Sequence, residues 1–269
     1  METSKTIHLE QPNTLSNHLT RFEKYNLYSL KITGVIGKKD IEDDLEEMCE
    51  LRGYYDDDDE FIANYEQTPR LRHLDLGEAT YIGGNSLPFF GLKTLLASFI
   101  MPQGITTTVG EDDENIFTDS EYLEKLVLPP GLKIVGGFSY CTKLKDLILP
   151  EGLEEILPFA FCSCESINSI RIPASVNKID GSSFAGCNIS EYVIDENNPY
   201  LTSIDGVIYS KDLRTLIAFP SAYPSKVYNI PQTTKNIASH AFYLSKIWHV
   251  EIPQCVINIA PDAFEHRLG

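Results

Sequence analysis

A single unit recurs along this chain, and its period leaves few folds open. Leu123, Leu126, Leu128 and Pro129 repeat as Leu144, Leu147, Leu149 and Pro150, then as Ile167, Ile170, Ile172 and Pro173. The three prolines lie 21 and 23 residues apart, within the roughly 20 to 29 residues of repeats that stack a short strand per turn. The unit returns as Ile230-Pro231, and again as Ile247, Val250, Ile252 and Pro253. Looser copies stand upstream at Leu71, Leu74 and Leu76, and at Leu96, Phe99 and Met101. Positions two apart point to one face of a strand, so each unit offers a two-residue apolar face. One such face cannot bury itself, and stability must come from stacking neighbours into a continuous parallel sheet. Proline cannot donate to a continuing ladder, so every strand ends at the same place.

The expected organisation is an N-terminal capping region over residues 1–70 and an array over residues 71–269. One repeat, at about 189–226, is enlarged by an inserted hairpin through Asp205-Gly206, which is expected to project from the array. Within the cap, Tyr25 to Ile32 reads as strand. Asp40 to Leu51 reads as helix, with apolar residues at helical spacing and acids in the first turn. The cap is therefore mixed.

Leu147, Leu149, Pro150, Gly152, Leu153, Ile156, Phe161 and Cys164 together give a pattern that resembles the BspA-like, or Treponema-type, leucine-rich repeats. The fold expected is an α/β-type repeat, a right-handed leucine-rich-repeat solenoid with a parallel β-sheet on one side. The resemblance also implies a secreted or cell-surface protein of a host-associated bacterium, with a role in adhesion to proteins or cells. Fold-level analogy of this kind does not name a partner.

Charge narrows the partners. Lys plus Arg number 22 against 39 Asp plus Glu, a formal net charge of -17, which repels a phosphate backbone and excludes nucleic acid. No window has the length and apolarity of a membrane span, and the first residues carry no apolar stretch of signal-peptide length. The acidic run Asp56 to Glu60 lacks the central glycine of a calcium loop and reads as solvated.

Cys141, Cys164 and Cys187 fall one repeat apart, each three residues after a phenylalanine. A zinc or redox site is one reading. A repeat position that wants a small buried side chain is the other, and it is favoured because later coils carry Ser245 and Arg267 there. No cofactor or metal is expected. The chain lacks a Gly-x-Ser-x-Gly elbow and a His-Glu-x-x-His pair, and the adjacent acids Glu154-Glu155 and Asp112-Asp113-Glu114, which offer paired carboxylates for glycoside hydrolysis, read more simply as solvated. A non-enzymatic role is expected.

The residue between the two core positions of each strand points outward. Down the array this row reads Asp75, Ile100, Val127, Ile148, Arg171, Val193, Asn229 and Glu251, apolar through much of its middle. Such a stripe is a candidate binding face for a protein or glycan, or a face through which the chain forms a homo-oligomer. β-branched residues on a shallow sheet surface are the alternative account. Trp248 joins the face as an anchor or closes the terminal core. Tyr209 and Tyr223, with Tyr192 and Tyr228, surround the hairpin and are either contacts or packing.

Overall fold

In a computed structural model, which describes residues 3–49, 53–55, 61–63, 69–88, 94–110 and 117–266, the chain winds into a solenoid of about 9 turns with little helix. Six parallel strands form one sheet in chain order: Ser4–Leu9, Ser29–Ile36, His73–Tyr81, Ser98–Ile100, Lys125–Val127 and Asp146–Ile148. The sheet thus begins at Ser4, within the stretch that shows no repeat in sequence. Arg171–Ile172 pairs with Val193–Ile194, and Val227–Asn229 with His249–Glu251, to carry the same side of the solenoid onward. A second row of two-residue strands, Ile134–Val135, Glu155–Ile156 and Lys178–Ile179, forms another parallel ladder.

The alternation in the sequence is realised in the packing. Leu126 and Leu128, and likewise Leu147 and Leu149, are buried while the residue between them is exposed. Each strand-ending proline then closes a turn with its carbonyl. Pro129, Pro150, Pro173, Pro231 and Pro253 each accept from the N–H three residues on, at 3.0 to 3.3 Å, so the residue that cannot donate still fixes the corner.

Two side-chain ladders run through the interior. Phe99, Phe117, Phe138, Phe161 and Phe184 stack with ring centroids 5.2 to 5.6 Å apart. Within the enlarged repeat and beyond it the ladder resumes as Phe219, Phe242 and Phe264 at 4.9 and 4.7 Å. The cysteines form the companion ladder. Cys141, Cys164 and Cys187 donate their thiols to the carbonyls of Phe117, Phe138 and Phe161, at 3.2, 3.1 and 3.2 Å. Burial pushes the Cys164 and Cys187 thiols well up, which keeps them protonated and unreactive. All six cysteines are free.

Near the N-terminus the helix expected from Asp40 is present, as a π turn over Asp40–Leu45 followed by an α-helix over Glu46–Cys49. Asp40 is itself buried. Its carboxylate accepts from the backbone N–H groups of Asn13, Leu15 and Gly37 at 2.7 to 2.8 Å, tying the segment 13–15 and the preceding turn to the helix start. The strand expected from Tyr25 begins later, at Ser29. Tyr25 and Asn26 instead end an α-helix, Arg21–Asn26. Thr20 and Glu23 start that helix with a reciprocal capping box: the Thr20 hydroxyl accepts from the Glu23 N–H, and the Glu23 carboxylate from the Thr20 N–H.

The enlarged repeat forms the expected hairpin. Leu201–Ile204 and Val207–Ser210 pair antiparallel around Asp205 and Gly206, which both have positive φ (51° and 78°), as a two-residue hairpin turn demands. It does not project. A third strand, Thr215–Ala218, pairs antiparallel with the second and parallel with Asn236–Ile237 of the following coil, and so weaves the hairpin into the array. Alternating apolar residues explain this. Ile208 and Ala218 belong to the upstream core, while Val207, Tyr209 and Leu216 belong to the downstream one.

Candidate functional site

The outward row predicted from the alternation falls into register. Lys31, Asp75, Ile100, Val127 and Ile148 are successive partners across the six-stranded sheet. Arg171 is opposite Val193, and Asn229 opposite Glu251. The upstream end of the row is ionic: Lys31 lies 2.6 Å from Glu78 and 3.8 Å from Asp75. The middle is apolar and open. Val127 and Val193 are exposed, Ile100 is half-buried, and Ile148 has 83% of its surface in water.

Ile148 is so exposed because the sheet stops there. Among the described residues no ladder joins Asp146–Ile148 to Arg171–Ile172, and the two strands leave between them a groove of about 420 Å³. Its walls are Ile148, Leu149 and Ile170, with Val193 beyond, and its polar side is formed by Glu151, Ser169 and Arg171. Arg171 spans the neighbouring coils. One guanidinium nitrogen donates to Glu151 at 3.0 Å and the other to the carboxylate of Asp195. The hydrogen bond to Glu151 and the field of Asp195 raise the Arg171 pKa further. The Asn197 N–H, with Arg171, holds the Asp195 carboxyl below the usual range. The guanidinium is therefore a fixed, neutralised edge to an apolar slot rather than a free cation.

Other candidate residues lie apart from this groove. Trp248 is exposed in the last coil, with the Lys226 ammonium 5.4 Å from its ring centroid, and Glu251 is exposed at the end of the strand that directly follows it. Tyr209 requires a correction. It is completely buried and shares a 2.9 Å hydrogen bond with the Tyr228 hydroxyl, so it cannot contact a partner. The hairpin lies in the array, and Tyr209 fills the downstream core together with Tyr228. Tyr223 is half-buried against Phe219 and Tyr228, at 4.8 and 5.5 Å. The carboxylates of Glu154 and Glu155 are held by different lysines, Lys133 at 2.8 Å and Lys178 at 2.6 Å. Asp112-Asp113-Glu114 and the run Asp56 to Glu60 lie outside the described residues. Among the described residues no cluster of three or more His, Cys, Asp or Glu is placed to hold a metal ion. Among them, too, no helix is long and apolar enough to cross a membrane.

Glu151 and Asp195 do not stand out in the sequence. Their signal is positional: each stands about one repeat from Arg171, so laying the coils over one another puts a carboxylate on either side of it.

The fold and its open sheet face define a leucine-rich-repeat solenoid of the kind that presents a surface to other molecules. Residues 81–213 and 217–268 match the model of the BspA type leucine-rich repeat region, in 6 copies, and the chain belongs to that family. Among solved structures it is similar to the pneumococcal vaccine antigen PcpA, at 20% identity and a TM-score of 0.52, with 89% of this chain and 48% of that one covered. It is also similar to a leucine-rich repeat protein from Eubacterium ventriosum, at 16% identity and a TM-score of 0.51, with 97% and 56% covered. The chain thus spans about half the length of these two proteins. No curated protein sequence matches it.

Proposed function

We propose that the protein is a non-catalytic recognition module that binds a protein partner on its sheet face, centred on the groove beside Ile148, and that it acts at the cell surface. The observation that carries this reading is Ile148 itself, an aliphatic side chain 83% exposed at the lip of an apolar groove, in register with a second exposed apolar residue, Val127. A monomer gains nothing from holding such a residue in water, whereas an interface gains about 1.5 to 3 kcal/mol by burying it. Aliphatic walls with a neutralised arginine suit a peptide or protein surface. A glycan site would call for aromatic platforms, and none lines the groove. The family and the designation of one similar structure as a vaccine antigen support display outside the cell.

The test is binding of the purified chain to arrayed matrix proteins and glycans beside an Ile148→Asp variant. The wild type is expected to retain protein ligands, and the variant to lose at least tenfold in affinity without a change in melting temperature. Each factor of ten corresponds to about 1.4 kcal/mol. Binding that Ile148→Asp leaves intact, or ligands found only among the glycans, would sink the reading.

A further inference from the structure

One hydrogen-bond pattern recurs where successive coils join on the sheet side. The carbonyls of Thr3, Tyr28, Arg72, Ala97, Glu124 and Lys226 each receive two consecutive amides from the following coil, at 2.7 to 3.2 Å. At Lys145 the pattern fails. Among the described residues its carbonyl receives no backbone hydrogen bond, and the amides of Asn168 and Ser169, which stand where the donating pair belongs, reach no backbone acceptor.

The same two coils are tied on either side of this gap. Before it, the Ser166 N–H donates to the Thr142 carbonyl at 3.2 Å; after it, the Asn177 N–H donates to the Glu154 carbonyl at 2.9 Å. The second ladder then runs unbroken from Ile134 through Glu155 to Lys178. The strands therefore part only between these two points, and their parting is the groove beside Ile148.

What the gap offers follows from alternation along a strand. The carbonyls of Ile170 and Ile172 accept from Val193 and Asp195 of the following coil. Main-chain groups of successive strand residues point to opposite sides, so Ser169 and Arg171 turn theirs into the gap. On the facing wall the Asp146 amide points back to Glu124, and Leu147 turns forward. Both walls thus carry main-chain donors and acceptors with no strand opposite them, beside the apolar side chains of Ile148, Leu149 and Ile170.

We propose, resting on the recognition role assigned to the groove, that its occupant is an extended peptide segment of a protein partner, added as a strand between Asp146–Ile148 and Arg171–Ile172. An extended chain sends its own N–H and C=O groups to both sides, so it answers both walls at once and packs alternate side chains beside Ile148. A helix spends its main-chain groups within itself and has none for either wall. Charge sets the flanks of the segment. Asp146, Glu151 and Asp195 stand around this stretch against the single guanidinium of Arg171, while Lys145 is held by Glu124 at 2.7 Å. In a chain of net charge -17, the segment that fits carries Lys or Arg beside its apolar residues.

Selection of linear peptides from a random display library on the purified chain tests this. The expected ligands alternate apolar with polar residues and carry net positive charge. Ile148→Asp is expected to weaken their binding tenfold or more, and N-methylation of a central peptide amide, which leaves its side chain in place, to do the same. Exchange of the Asn168 and Ser169 amides with solvent is expected to slow tenfold or more in the complex. Ligands that bind as helices, that tolerate N-methylation at every position, or that leave those two amides exchanging as before overturn the proposal. A library that yields no ligand dependent on Ile148 also overturns it. Matrix-protein binding answers separately for the groove: its loss in Ile148→Asp keeps the recognition role, and its survival removes that role.

Discussion

Replacing Phe161 by alanine is expected to lower stability by about 3 to 5 kcal/mol, a large part of the roughly 5 to 15 kcal/mol that holds a typical domain folded. Phe161 has no exposed surface. It stacks between Phe138 at 5.4 Å and Phe184 at 5.2 Å, and its carbonyl receives the Cys187 thiol. The coils on either side are braced by their own strands and turns, so they cannot collapse into the space, and the cavity persists. Phe22, 74% exposed near the N-terminus, is the control, and alanine there should change stability by no more than about 0.5 kcal/mol. Urea denaturation followed by circular dichroism measures both. A loss below about 1 kcal/mol at Phe161 would mean that the phenylalanine ladder fills space without organising the core.

Asn198→Ala is expected to cost a comparable amount, about 3 to 5 kcal/mol, for a different reason. The Asn198 side chain is wholly buried and uses its amide fully. Its nitrogen donates to the carbonyls of Pro173 and Val176, both at 2.9 Å, and its oxygen accepts from the N–H groups of Tyr200 and Leu201, both at 2.8 Å. It therefore fastens the entry of the hairpin to the coil before it. Alanine strands the Val176 carbonyl and the N–H groups of Tyr200 and Leu201, while the Pro173 carbonyl keeps the Val176 N–H. Each stranded group costs about 1 to 3 kcal/mol where water cannot reach, and partial hydration brings the total down to the stated range. Asn198→Asp should be no better, since it keeps the two acceptor contacts but sets a carboxylate against two carbonyls. Thermal melts of both variants, with amide exchange read at Tyr200 and Leu201, decide the matter. Faster exchange confined to the hairpin would confirm the fastening role, and unchanged melting would remove it.

Much of the fold is legible because period and alternation act everywhere along the chain. The row from Asp75 to Ile148 could be written down before any coordinates, since a strand leaves no choice about which of three successive residues points outward. The groove could not, because it arises where one pair of strands fails to join, and nothing local marks Ile148 as a sheet edge. The hairpin shows the same limit. Asp205-Gly206 dictates the turn, but whether the strands stand away from the array or enter it depends on which core receives Ile208 and Tyr209, a tertiary question. Tyr209 misleads because a tyrosine hydroxyl reads as a reason for exposure until a second buried hydroxyl, that of Tyr228, satisfies it. The helix Arg21–Asn26 is a different case: Thr20 and Glu23 spell a capping box in the sequence, a signal that outranks the strand-like residues following it.

The break in the phenylalanine ladder between Phe184 and Phe219 has a mechanical meaning. The interior is divided into two apolar bodies, joined through the hairpin strands rather than by continuous stacking. Coupling between neighbouring coils is what makes a solenoid unfold as one, so the junction is where cooperativity is expected to part. A load applied along the length of the chain should then open the smaller downstream body first and leave the one bearing Ile148 intact. In single-molecule pulling this would read as two steps in place of one, with the grip on a partner outlasting the first.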